Sequence, residues 1–100
     1  MRRVRFVAAA RREFLAEVVY YNEEEQGLGA RFTTAVEEAT SRALAFPLAG
    51  SPAPKNTRRV FLKDFPFSVV YQPTAGGIIV FALAHHSLRP GYWRTRLQER

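Results

Sequence analysis

The residues of this sequence that could take part in acid–base chemistry lie mainly in its second half. His85 and His86 are the only histidines, and a histidine can act as a general acid or base because its pKa lies near neutrality. Neighbouring residues on a strand point to opposite faces, so the pair does not form one metal site. We therefore expect no metal and no cofactor. The alternative, which spacing alone favours for each histidine, is a strand-end residue that caps backbone groups or meets solvent.

Arginines are the second chemical feature. Thirteen of the fifteen basic residues are arginine, whose planar fork of donors fits phosphates and carboxylates. Arg58 and Arg59 open a predicted strand, where their side chains point to opposite faces. We expect one of them to join Lys63 on a basic side of the sheet. This pattern fits phosphate contact, and equally an edge strand that charge protects against stray pairing.

The chain ends in a segment where arginines and aromatic residues alternate. It contains Arg89, Tyr92, Trp93, Arg94, Arg96 and Arg100. Such a mixture is typical of nucleic-acid contacts and of protein interfaces. Pro90 and Gly91 predict a sharp turn back across the sheet. We expect Trp93 to be at least half buried against the core, with the arginines pointing outward beside Arg58 or Arg59.

Composition and charge limit the classes of function. The 100 residues, 47% of them hydrophobic, predict one domain over residues 1–100. Basic residues outnumber acidic ones by 15 to 9, yet residues 13–54 carry seven glutamates and only two arginines. This division predicts a folded protein with one basic face. The glutamates stand mostly in runs, which mark solvated helix surface and argue against a carboxylate-pair enzyme.

The absence of cysteine excludes disulfides and cysteine nucleophiles and fits a reducing cytoplasm. No apolar run is long enough to span a bilayer, and the arginine-rich start lacks the apolar core of a signal peptide. We therefore expect a cytoplasmic protein without a membrane partner.

The elements that position these residues follow from hydrophobic periodicity. A strand is predicted at 2–7, helices near 8–26 and 29–46, a loop at 47–57, strands at 58–62, 67–72 and 78–86, turns at 63–66 and 73–77, and a short helix from 92. The apolar stripe of the first helix is predicted to contain Phe14, Leu15, Val18, Val19 and Tyr21. Glu13 and Glu17 fall outside it, where we expect them to lie in solvent. The fold class is α+β, with a helical hairpin on one face of a mostly antiparallel sheet, in the order β-α-α-β-β-β. The first strand is expected at an edge beside the last.

Several segments, taken in order, resemble toxins of the RelE/ParE superfamily from bacterial type II toxin–antitoxin (plasmid stabilisation) modules. The matching pieces are Tyr20-Tyr21, Gly27-Leu-Gly-Ala-Arg-Phe32, Phe46-Pro47 with Gly50, Arg58-Arg59, Phe65-Pro-Phe-Ser-Val-Val-Tyr71, Ala82-Leu-Ala-His85 and Arg89-Pro-Gly-Tyr-Trp93 with Arg96. The pieces cover nearly the whole chain and are closer to ParE-like members.

The resemblance implies a growth-inhibiting toxin that a cognate antitoxin, encoded next to it, holds inactive in a hetero-oligomer. A ParE-like member would bind and inhibit DNA gyrase and would not be an enzyme. A RelE-like member would be an endoribonuclease that cuts mRNA on the ribosome. A non-toxic basic module that binds nucleic acid is the second alternative.

The resemblance and the residue pattern together suggest three sets of site residues. The target-binding set is Arg58, Arg59, Lys63, His86, Arg89, Tyr92 and Arg94. The catalytic set, relevant only to a nuclease, is Arg58, Arg59, His85 and Tyr92. The antitoxin-binding set is Phe14, Val18, Tyr21 and Phe32, which we expect to form a groove that takes a disordered peptide.

Overall fold

The computed structural model describes residues 2–99. Two helices and five strands follow one another along the chain. They are β1 (Arg3–Phe6), α1 (Ala8–Glu24), α2 (Leu28–Ala45), β2 (Ser51–Ala53), β3 (Thr57–Phe61), β4 (Phe67–Thr74) and β5 (Gly77–His85), with short 3-10 helices at Pro54–Asn56 and Arg94–Glu99. Neither α1 nor α2 combines the length and the apolarity needed to cross a membrane.

The five strands form one sheet in the order β1-β5-β4-β3-β2. β1 runs parallel to β5, and the other neighbours are antiparallel. The α+β class, the mostly antiparallel sheet and the edge position of the first strand beside the last are therefore confirmed. β5 lies between two strands and its side chains are buried along most of its length, as expected for an inner strand.

Two segments differ from the sequence-based prediction. Residues 51–53, predicted as loop, form β2, which pairs with β3 through Pro52 and Arg58. A proline is tolerated there because β2 is an edge strand. β4 continues to Thr74, so the predicted turn at 73–77 is shorter. Pro73 fits β4 because β3 pairs with β4 only as far as Tyr71.

The main core lies between the helices and the sheet. Phe32 is its central side chain, fully buried, with its ring 5.1 Å from that of Tyr21, 5.1 Å from Phe65 and 5.2 Å from Phe67. The prediction that Phe32 lines a partner groove is therefore wrong. Its ring is enclosed by both helices and the sheet, and no partner reaches it while they stay packed.

The sheet face opposite the helices, here called the open face, carries a second small cluster. Trp93 folds back onto Val70 and Ala82 there and is only 4% exposed. The predicted docking of Trp93 is confirmed. Gly91, with a φ of 78°, makes the turn that brings it back.

A bulge in β5 decides which residues reach the open face. The register between β4 and β5 shifts at Val70 and Tyr71, and the successive residues Val80 and Phe81 are both buried in the main core. Alternation then resumes and leaves the small side chains of Ala82 and Ala84 on the open face. The space above them is taken by Trp93 and by a cavity.

A change of Gly77 to alanine is expected to lower the free energy of unfolding by about 1–3 kcal/mol. Gly77 has a φ of 143°, and a Cβ there would collide with the backbone carbonyl of Arg3 in β1. Thermal unfolding of G77A measures the effect. Gly76→Ala is the matched control because a Cβ at that position meets nothing within 4 Å. Equal stability of the two variants would contradict this reading of the β1–β5 contact.

Candidate target-binding site

A cavity of about 370 Å³ opens on the open face, between the strands and residues 89–93. Strand side chains form one wall and the returning chain forms the other. The lining includes Arg59, Phe61, His86, Arg89, Tyr92 and Trp93. Within the described residues no acidic side chain lines it, so the cavity favours an anionic or hydrogen-bond-accepting partner.

Phe61 organises the strand wall. Its ring is about half exposed, with the Arg59 guanidinium carbon 5.5 Å and the His86 ring 5.4 Å from its centre. His86 Nε2 lies 3.0 Å from the hydroxyl oxygen of Ser68. A cation, an aromatic surface and a hydrogen-bonding pair therefore face the same space. Four members of the predicted target-binding set, Arg59, His86, Arg89 and Tyr92, line this cavity.

Arg58 and Lys63 lie elsewhere. Arg58 donates hydrogen bonds from Nη1 to the carbonyls of Leu48 (2.9 Å) and Gly50 (2.8 Å), which hold its guanidinium against the α2–β2 connection. Lys63 lies beside α2, where it lines a separate depression with Arg31 and Glu38. The expected basic side that joins Lys63 to an arginine of β3 is therefore not formed. The chain turns after β3 and carries Lys63 toward the helices.

Arg94 lies apart from the cavity lining, whereas His85 belongs to it through the end of β5. The Arg94 side chain is exposed and packs close to Gly91. The His85 ring stacks edge-on against Phe67 at 4.9 Å, and its Nδ1 accepts the backbone N–H of Ser87 at 3.0 Å. His85 therefore has the strand-end capping role that its spacing favoured. Arg100 of the predicted tail lies outside the described residues.

Glu13 in α1 is the centre of a polar cluster that holds the end of the chain. Its Oε2 accepts the Tyr92 hydroxyl at 2.6 Å, and both its oxygens accept the Arg96 guanidinium, at 2.8 and 2.9 Å. Its Oε1 also accepts the Leu83 N–H at 3.1 Å. The Glu13 side chain is only 22% exposed, so the expectation that it lies in solvent is wrong.

Burial, and then the hydrogen bond and charge of Glu13, raise the pKa of Tyr92 above its ordinary value of 10.0. The phenol is therefore protonated at neutral pH and engaged as a donor, which does not suit a general base. The one sequence signal for Glu13 is that it is the only acidic residue in the basic first sixteen. Its partners are about seventy and more residues away.

Three of the four residues predicted for a nuclease, Arg59, His85 and Tyr92, line the open-face cavity. Arg58 does not join them, because it is bonded to the carbonyls of Leu48 and Gly50. Within residues 2–99 no three His, Asp or Glu side chains form a group that could hold a metal ion.

The apolar residues of α1 divide into two sets. Phe14, Val18 and Tyr21 of the predicted antitoxin-binding set pack partly buried against the main core. Leu15, Val19 and Tyr20 face outward and are 54, 57 and 52% exposed. The predicted stripe is therefore wrong for Leu15 and Val19, which, with Tyr20, form the accessible apolar surface of α1.

The architecture is shared with a chain of the chromosomal ParDE TA system from P. aeruginosa. The two structures superpose with a TM-score of 0.71 over 85% of this chain and 96% of that one, at 15% sequence identity. This similarity defines the class of fold. Residues 4–90 match the family described as the ParE toxin of the type II toxin-antitoxin system, parDE. The chain belongs to the ParE toxin family. No curated protein sequence matches it significantly.

Proposed function

We propose that this protein inhibits DNA gyrase when it is free and that a cognate antitoxin, encoded next to it, keeps it inactive. The match of residues 4–90 to the ParE toxin family supports the proposal. In this view the chain acts by binding and needs no catalytic residue. The hetero-oligomer with the antitoxin is the resting form.

We propose that the target binds at the open-face cavity. It brings Arg59, Arg89 and Phe61 together with no described acidic side chain in the lining. Interface energy concentrates on arginine and aromatic anchors of this kind. Arg58 is held on loop carbonyls, and the Tyr92 hydroxyl donates to Glu13 with a raised pKa, which favours binding over RNA cleavage.

Expression of the chain alone tests the proposal. We expect growth to stop, with loss of negative DNA supercoiling and of replication before any change in mRNA. Co-expression of the neighbouring gene should restore growth. Early cleavage of ribosome-bound mRNA would identify a RelE-like nuclease instead. Harmless expression together with weak, salt-sensitive nucleic-acid binding would leave only a basic module.

For the antitoxin we propose the outer surface of α1. Its exposed apolar residues Leu15 and Val19 lie one helical turn apart, and exposed glutamates follow at residues 23–25. A disordered segment that folds into a helix can place apolar anchors on such a stripe. Its flanking residues are then expected to be basic. Binding should be nanomolar or tighter, about −12 kcal/mol.

A change of Val19 to aspartate is expected to prevent neutralisation by the antitoxin while the toxin stays folded and active. An exposed position tolerates the charge, but an apolar interface does not. Affinity should fall by at least about tenfold, which titration calorimetry measures. Leu48→Asp is the control because Leu48 is 71% exposed on the α2–β2 connection. Loss of binding in that variant alone would move the antitoxin site to the connection.

A further inference from the structure

We propose that Glu13 is a positioning residue that fastens the C-terminal segment, residues 89–99, across the open face and so holds one wall of the open-face cavity. The inference concerns the structure of the protein itself. Only its consequence for toxicity rests on the proposed function.

The polar attachment of the segment is concentrated at one point. Within residues 2–99, the hydrogen bonds from the segment to the rest of the chain run from Tyr92 and Arg96 to the Glu13 carboxylate and from Arg96 to the carbonyl of Phe81 at 3.1 Å. The remaining backbone bonds are short turns within the segment, such as Arg96 N–H to the Trp93 carbonyl. Loss of Glu13 therefore removes most of the polar attachment.

The same contacts also satisfy backbone groups of β5 beyond the point where β1 ends. β1 pairs with β5 only as far as Phe6 opposite Val80. Further along β5, Leu83 N–H donates to Glu13 and the Phe81 carbonyl accepts from Arg96. An unpaired strand edge leaves backbone groups that need partners. Glu13 and Arg96 supply these partners where β1 has ended. The end of β1 therefore sets the position of the Glu13–Arg96 pair.

The rest of the attachment is apolar and lies mainly on the open face. Trp93 covers Val70 and Ala82 there, and Leu97 packs beside them and also against the main core. The main core lies on the opposite face of the sheet. We therefore expect loss of the fastening to free the segment, and with it the cavity wall formed by Arg89 and Tyr92, while the helices and the sheet stay folded.

Glu13→Gln tests the proposal with Glu23→Gln as the matched control. The control makes the same change on the same helix at an exposed position. Trp93 is the only tryptophan, so quenching of its fluorescence by acrylamide reports the segment directly. Native-state hydrogen exchange reports the amides of 94–99 and, separately, those of β4 and β5.

In E13Q we expect amides 94–99 to exchange about tenfold faster and Trp93 to be quenched more readily, because hydrogen bonds to a charged group are lost. Amides of β4 and β5 should remain much better protected than amides 94–99, apart from Leu83, whose N–H donates to Glu13. Tyr92→Phe removes one donor only and should accelerate the same amides less. Unchanged exchange and quenching relative to E23Q would overturn the proposal. So would equal protection of amides 94–99 and of β4 and β5 in E13Q, since the segment would then open only when the whole domain unfolds.

Growth inhibition by E13Q separates this inference from the proposed function. A freed segment with reduced toxicity agrees with both. A freed segment with full toxicity leaves the fastening by Glu13 intact and contradicts the proposed target surface.

Discussion

Replacing Trp93 by alanine is expected to lower the free energy of unfolding by about 3–5 kcal/mol. The indole is 4% exposed and covers Val70 and Ala82, which lie on the sheet face opposite α1 and α2. A domain of this size has only about 5–15 kcal/mol in total. Loss of the indole therefore removes a large part of the free energy of unfolding. Urea denaturation followed by circular dichroism measures the change, since the variant lacks the only tryptophan.

Leu88→Ala is the control for Trp93. Leu88 also lines the cavity but is 47% exposed, so its truncation should change stability by about 0.5 kcal/mol or less. Trp93→Phe should fall between the two variants because it keeps part of the apolar cover. If W93A were as stable as L88A, the docking of the C-terminal segment would contribute little to stability.

Replacing Arg59 and Arg89 together by alanine is expected to abolish growth inhibition while leaving the fold intact. Both side chains are exposed and line the open-face cavity. Arginine hot spots at interfaces contribute about 2 kcal/mol or more each, so target affinity should fall by about 30-fold or more for each arginine removed. Inhibition of supercoiling by purified gyrase, measured over a range of toxin concentrations, gives the change. Unfolding curves should match those of the unmodified protein.

The control for this pair is Arg31→Ala with Lys63→Ala. This variant also removes two positive charges, but it removes them from the depression beside α2. It also tests the earlier assignment of Lys63 to the target surface. We expect near-normal inhibition. If both double variants lost inhibition equally, net charge rather than the open-face cavity would govern target binding.

The order of helices and strands follows from the sequence because hydrophobic periodicity is a local property. The change from a helical to a twofold period after residue 57 predicts the hairpin and the meander. The docking of Trp93 is predictable because one large apolar ring must be buried in so small a domain. β2 is not predictable in this way. Its three residues include a proline, and they form a strand only because β3 is beside them.

The faces of the site residues are decided by tertiary structure. Alternation places Arg58 and Arg59 on opposite faces, but only the pairing of β3 with β4 shows which one reaches the cavity. Arg58 donates to loop carbonyls, whereas Arg59 lies over Phe61 and lines the open-face cavity. Phe32 has the spacing of a helix-face residue, and its complete enclosure depends on Phe65 and Phe67 from the sheet side.

The sequence by itself determined the fold class, the ParE-like resemblance and the arginine–aromatic end of the chain. The tertiary structure alone decided that Glu13 binds that end. Its donors come from Leu83, Tyr92 and Arg96, which the topology brings to the edge of β5 where β1 stops. A local sequence pattern cannot reveal these contacts, because the residues are far apart in the sequence. Only the folding of the chain brings their atoms within hydrogen-bond distance.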